Sequence, residues 1–236
     1  MLLLYNMSMK YAVITDIHSN IFALKAVLSE IDKLGVDKII CLGDIVGNGA
    51  YPDETVQLVK KRKDILCVKG NHDMFATIDL NRVSLCDSRH KMFVWQQKNL
   101  TKSAKEFLKN LPPMLTFEDC GKKIVAFHYP KNERGRFKDL VYLPSKEQVE
   151  ELFKGLDGDI FLFGHEHTGS LTEVGGRYFL NFGTLGNMLE KDVAKFGIVE
   201  VTQEKVVYKS INVDYDDTLP RKRMVEIHQL LGAEIR

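Results

Sequence analysis

Eight polar side chains of this sequence stand where short apolar runs end: Asp16, His18, Asp44, Asn71, His72, His128, His165 and His167. They include five of the seven histidines, more than scattered surface or packing histidines would place there. Buried together, these groups would leave several polar atoms unpaired at ~1–3 kcal/mol each unless a cation met them. Two carboxylates, an amide and imidazoles without a thiolate form a mixed oxygen and nitrogen donor set. Such a set suits Mn²⁺, Fe or Zn²⁺ rather than structural zinc or Ca²⁺. It is also too large for one ion. Two ions sharing a carboxylate stand roughly 3.5–4 Å apart, the spacing used for in-line displacement at phosphorus.

The elements that must carry these groups follow from the apolar runs. Tyr11–Ile14 reads as a strand ending at Asp16-x-His18, and residues two apart at a strand end point to one side. Asn20 then caps a helix with Ile21, Leu24, Leu28, Ile31 and Leu34 at helical spacing, closed at Gly35. Lys38–Leu42 is the next strand. Strand, helix and strand make a right-handed βαβ unit, which sets Asp16 and Asp44 at neighbouring ends of a parallel sheet. A helix opened by Pro52-Asp53-Glu54 ends in Lys60-Lys61-Arg62-Lys63, cations suited to a helix C-terminus. Ile65–Val68 reads as a third strand, buried on both faces, and delivers Asn71 and His72.

Residues 74–113 read as a helical insert across the mouth of the site, with Ser103 and Glu106 spaced as a capping box. His90, on this insert, has no partner motif. Two runs around Gly121, Met114–Glu118 and Lys123–Phe127, form a hairpin that delivers His128. A helix capped by Ser145 and Gln148 leads to the strand Asp159–Phe163, which ends in Gly164-His165-Glu166-His167. Short strands over Ser170–Val174, Arg177–Asn181, Lys195–Thr202 and Val206–Asn212 follow, then an amphipathic helix over about 219–236. Each half is expected to supply its own sheet. The fold class is α/β: two mixed sheets face to face, flanked by helices in four αββα layers, as a single domain over 1–236.

A formal charge of +1 and 44% hydrophobic content describe an ordinary globular chain with no global field for nucleic acid or anionic membrane. Neither partner is expected. Cys41, Cys67, Cys86 and Cys120 show no C-x-x-C spacing, and Cys41 and Cys67 read as small buried hydrophobes. Residues 1–9 read as a loose leader in which Met7 or Met9 is an alternative start. With no signal peptide pattern or long apolar stretch, the expected location is the cytoplasm.

Asp16-x-His18, Gly43-Asp44, Gly70-Asn71-His72-Asp73, His128 and Gly164-His165-x-His167 resemble, in order and spacing, the five motifs of the calcineurin-like metallophosphoesterases. Gly43-Asp44-Ile45-Val46-Gly47-x-Gly49 and Asn181-Phe182-Gly183-Thr184 resemble the small bacterial and archaeal phosphodiesterase branch. The resemblance implies that Asp16, His18 and His167 hold one metal, Asn71, His128 and His165 a second, and Asp44 bridges them. It implies two divalent ions, Mn²⁺ before Fe or Zn²⁺, whose bridging hydroxide attacks phosphorus. His72 would be the general acid or a phosphoryl contact, with Asp44 and His72 the catalytic pair.

Protein phosphatases of this superfamily carry an aspartate and an arginine where this chain has Gly47 and Asn48. Without the aspartate His72 is a weaker acid, so small phosphodiesters or nucleoside polyphosphates are favoured over phosphoserine proteins. Asn71, His72, Asn48, Arg134 and Arg136 are the candidate substrate contacts, and Tyr129-Pro130 should crowd the second-metal side. The alternatives are a protein Ser/Thr phosphatase or phosphomonoesterase, a nuclease, and a non-catalytic interaction module on the same fold. The oligomeric state is not legible in the sequence.

Overall fold

The computed structural model describes residues 8–186 and 192–232. Most of the expected leader and the end of the expected tail helix lie outside them. Strands β1 (Met9–Ile14), β2 (Lys38–Cys41) and β3 (Ile65–Cys67) run parallel, with Tyr11 opposite Lys38 and Ile39 opposite Ile65. The second sheet holds β4 (Met114–Asp119), β5 (Lys122–Phe127), β6 (Ile160–Leu162), β7 (Ser170–Val174) and β8 (Arg177–Asn181), in the order β4-β5-β6-β8-β7. Its β5, β6 and β8 are parallel. The last two strands, β9 (Val193–Val201) and β10 (Val206–Asp214), return to the first sheet, whose order is β10-β9-β1-β2-β3. The two halves therefore do not each build their own sheet. The chain's far end completes the first one, and β9 pairs antiparallel with β1 from Met9↔Val201 to Val13↔Gly197.

Strand alternation explains the layering. Tyr11 and Val13 of β1 face inward, with Ile40 of β2, onto Ile124, Ala126, Ile160 and Leu162 of the second sheet. Their neighbours Ala12 and Ile14 face outward onto helices α1 (Ile21–Ile31), α2 (Pro52–Lys61) and, further on, α5 (Lys102–Asn110). On the far side Val125, Phe127, Phe161 and Phe179 pack under α6 (Lys146–Leu152) through Val149 and Leu152. The result is four layers: helices, sheet, sheet, helix.

Three local expectations need correction. β3 is a sheet edge, not a strand buried on both faces: Leu66 is 37% exposed, and Cys67 is only half-buried while Cys41 is buried. The apolar run is the same for an edge strand covered by a helix on one side, so composition could not separate the two. Ser103 and Glu106 do not cap α5. Thr101 does, its hydroxyl accepting from Ala104 N at 3.2 Å while Asp53 Oδ1 accepts from Thr101. Nor does all of 74–113 lie across a mouth, because Ala104 and Leu108 of α5 belong to the core. Within that segment Phe75, at the end of α3 (Asn71–Phe75), and Phe93 of α4 (Asp87–Lys98) reach the polar strand ends, both against the His72 ring. The tail helix α7 (Thr218–Leu231) packs Met224 and Ile227 beside Ala50. Among the described residues no helix is long and apolar enough to cross a membrane.

Candidate metal centre

The loops leaving β1 and β2 keep pairing after the strands end. Asp16 N donates to Gly43 O (3.1 Å), His18 N to Asp44 O (2.9 Å) and Ser19 N to Ile45 O (3.0 Å), which fixes Asp16 and Asp44 side by side. This pairing needs left-handed backbone at Asp16, His18, Ser19 and Asp44, and His165 and His167 share it. Such conformations cost of order 1–3 kcal/mol each and persist where the surroundings dictate them. Here they do: Asp16 O accepts from Thr184 Oγ1 and Gly186 N, and Asn181 Nδ2 holds Gly164 O. The Asn181-to-Thr184 turn thus buttresses both Asp16 and the loop of His165 and His167.

Each site carboxylate spends one oxygen on scaffolding and aims the other inward. Asp16 Oδ2 accepts from Thr15 Oγ1 (2.7 Å) and His165 N (2.9 Å), while its buried Oδ1 has no hydrogen-bond partner among the described residues. That Oδ1 lies 3.2 Å from His167 Nε2 and 3.6 Å from His18 Nε2, and those two nitrogens are 2.9 Å apart. Asp44 Oδ1 accepts from His72 N (2.8 Å), and its Oδ2 lies 3.3 Å from His128 Nε2. His128 Nδ1 meets Leu42 O at 2.8 Å, so Nδ1 carries a proton and Nε2 is the nitrogen whose lone pair is free once the ring is neutral. That lone pair faces Asn71 Oδ1 at 3.1 Å and His165 Nδ1 at 3.2 Å, another acceptor and another ring nitrogen. Acceptors converging at these separations surround a point where a cation fits. The donor groups are Asp16, His18 and His167; Asp44, His128 and His165; and between them His18, Asp44 and His72.

Electrostatics agrees. Burial would drive the carboxyls of Asp16 and Asp44 up, but the imidazole of His128 and its neighbours hold both well below the usual range. Burial pushes His18 down to about 3 and His165 down to about 4. Burial also opposes charge on His128, yet Asp44 and Asp16 outweigh it and lift that imidazole to about 9. Without a cation, a proton on His128 takes the compensating role. Metal binding must displace it, so affinity for Mn²⁺ should rise about tenfold per pH unit up to pH ~9 and then level off. Calorimetry in buffers of different ionisation enthalpy should record net proton release on metal binding near pH 7.5, chiefly from His128, with His167, whose pKa Asp16 raises, adding to it.

His72 stands over the shared carboxylate, Nε2 3.9 Å from Asp44 Oδ2, with its ring 4.9 Å from His18 and 5.2 Å from Phe93. Its buried Nδ1 has no hydrogen-bond partner among the described residues. Where the protein phosphatases place an aspartate, Gly47 packs so closely that a Cβ would overlap His18 Nδ1. Asn48 is exposed between buried Gly47 and Gly49, and Arg134 and Arg136 lie on an exposed loop. The structure thus brings together the seven expected ligands and His72, and leaves Asn48, Arg134 and Arg136 on the surface nearby.

Sequence reasoning passed over three supports. Buried Asp73 accepts from Val46 N (3.1 Å) and Gly70 N (3.0 Å), stapling the loops after β2 and β3; its position three after Gly70 was the available signal. Asp73→Ala orphans both amides and should cost about 3 kcal/mol, read as a lower urea midpoint. Glu166, buried between two ligands, accepts from Leu143 N, Thr168 Oγ1 and Ser170 Oγ. Phe137, the third, stacks on His165 at 5.7 Å and 21°; Tyr129, expected to crowd this side, lies 5.1 Å from the same ring.

Residues 9–204 match the calcineurin-like phosphoesterase superfamily domain. An uncharacterized protein of Methanocaldococcus jannaschii is 35% identical over 182 residues, 74% of this chain and 69% of that protein. A metallophosphoesterase from Sphaerobacter thermophilus superposes with a TM-score of 0.70 at 25% identity, covering 96% of this chain and 99% of its own. A hypothetical protein from Pyrococcus horikoshii reaches a TM-score of 0.81 over 96% and 94% of the two chains; at 19% identity this likeness concerns the fold alone.

Proposed function

We propose that this chain, which belongs to the calcineurin-like phosphoesterase superfamily, hydrolyses phosphodiester or phosphoanhydride bonds of small molecules, nucleotides among them, with two divalent cations. Membership makes it a phosphoesterase of a metal-dependent family. The observation that supports two ions is the sharing of Asp44, which belongs to the group with His128 and His165 and to the group with His18 and His72; its Oδ2 lies 3.3 Å from His128 Nε2 and 3.9 Å from His72 Nε2. Nucleic acid and membrane are not proposed as partners, and Mn²⁺ is the first metal to try, ahead of Fe and Zn²⁺.

Asp16, His18 and His167 would hold one cation, Asn71, His128 and His165 the other, with Asp44 between. When bound, such a pair supplies an activated water and neutralises the charge that develops on phosphoryl oxygens. The protein's own contribution is placement and proton supply. Asp44 Oδ1 positions the start of α3 through His72 N, so Asn71 and His72 face the same point. His72 Nε2 is the group nearest the shared carboxylate that can pass a proton to a departing oxygen. Among the described residues no carboxylate backs its Nδ1, and burial lowers its pKa, so little of the ring is protonated near neutral pH and it serves as a modest acid. A modest acid suffices when the leaving group is itself acidic, as a nucleotide phosphate or an aryl oxide is.

The test is a substrate panel run separately with Mn²⁺, Fe²⁺ and Zn²⁺. A bis-aryl phosphate diester and a nucleoside polyphosphate should turn over at least tenfold faster than a phosphoserine peptide. Preference for the peptide overturns the assignment.

A further inference from the structure

The rim of the second metal group carries a cation that the superfamily motifs do not include. Lys131 Nζ lies 4.9 Å from the centre of the Phe137 ring, and that ring stacks on His165 at 5.7 Å and meets His128 edge-on at 5.8 Å. The ammonium is thus one ring removed from two expected ligands of the second ion. Its backbone is fixed as well: Lys131 and Phe137 form an isolated antiparallel bridge. The turn between them is tied by Asn132, whose Oδ1 accepts from Arg134 N and Arg136 N and whose N donates to Arg136 O. A lysine over an aromatic face gives up part of its freedom before any ligand arrives. Arg134 and Arg136 sit at the exposed tip of the same turn, with no side-chain partner among the described residues.

We propose that Lys131 sets substrate class by binding a second, non-scissile phosphate beside the one held at the metal pair. The preferred substrates are then those with a further phosphate next to the scissile one, phosphoanhydrides rather than simple diesters. This rests on the function proposed above and narrows it. Phe137 serves as the platform that holds the ammonium at the rim, and it keeps water from one side of His165. Arg134 and Arg136 extend the positive rim outward, where a longer phosphate chain would run.

The experiment compares inorganic tripolyphosphate with orthophosphate as ligands of the Mn²⁺-loaded protein, by competition against turnover of a bis-aryl diester and by calorimetry. Wild type should bind tripolyphosphate at least tenfold more tightly than orthophosphate. Lys131→Ala should erase most of that ratio and Lys131→Arg should keep it. An unchanged ratio in Lys131→Ala overturns the inference, as does an equal loss of both affinities, which would mean that the loop had merely loosened. The broader function fails on a different result: no turnover of any phosphoester by the Mn²⁺-loaded wild type, which calorimetry registers independently of the ratio.

Discussion

Asp44→Ala should lower kcat by about 10³-fold or more and leave fewer than two metals per protein. Asp44 belongs to two of the three donor groups, as His18 does, and it alone of these two also anchors the start of α3, its Oδ1 accepting from His72 N. Removing it subtracts a full negative charge from among five imidazoles and frees His72 N, so both cations lose their common ligand. A rate loss of 10³ corresponds to about 4 kcal/mol of transition-state stabilisation. Asp44→Asn separates the two roles: its amide oxygen can still accept from His72 N, so the fold should persist while metal content falls. The checks are metal analysis after dialysis, turnover of a diester, and circular dichroism. Unchanged turnover in a folded Asp44→Ala protein defeats the metal-centre assignment.

Gly47→Asp should fail as a conversion to a phosphomonoesterase. By resemblance alone it restores the carboxylate that orients the acid histidine in protein phosphatases. In this chain a Cβ at position 47 overlaps the His18 ring, and the backbone there has φ +151, a region that side chains rarely adopt. The aspartate would displace His18 before it could reach His72. The expected outcome is loss of the first metal and a fall of at least about 10²-fold in kcat/KM on diesters, with no gain on phosphoserine peptides. Gly47→Ala should show the same defect in weaker form, which separates crowding from charge. A Gly47→Asp protein with two metals and new monoesterase activity would contradict this account.

The chemistry was more legible than the architecture around it. A polar side chain at a strand end is announced by its residue type and by the apolar run before it, so the convergence of Asp16, Asp44, His128 and the pair His165 and His167 could be read without coordinates. Which strand neighbours which is set by long-range pairing. Nothing local in Val193–Val201 says that it will lie against β1 rather than beside β8. β3 shows the same limit, because its edge position depends on the absence of a further strand, not on its own residues. Thr101 and Ser103 are both plausible caps, and only the contact with Asp53 decides between them. The aromatic packing of Phe93 on His72 and of Phe137 on His165 was hidden because neither ring belongs to a motif.

The return of β9 to β1 also fixes a timetable. Met9 cannot meet Val201 until the residues between them have been synthesised, and at ~5–20 residues per second that takes roughly 10–40 s. Throughout that interval the nascent βαβ unit presents the open flank of β1, a ready template for a stray strand. Pairing by β9 closes that template, so a strand outside every metal motif protects the sheet from mispairing.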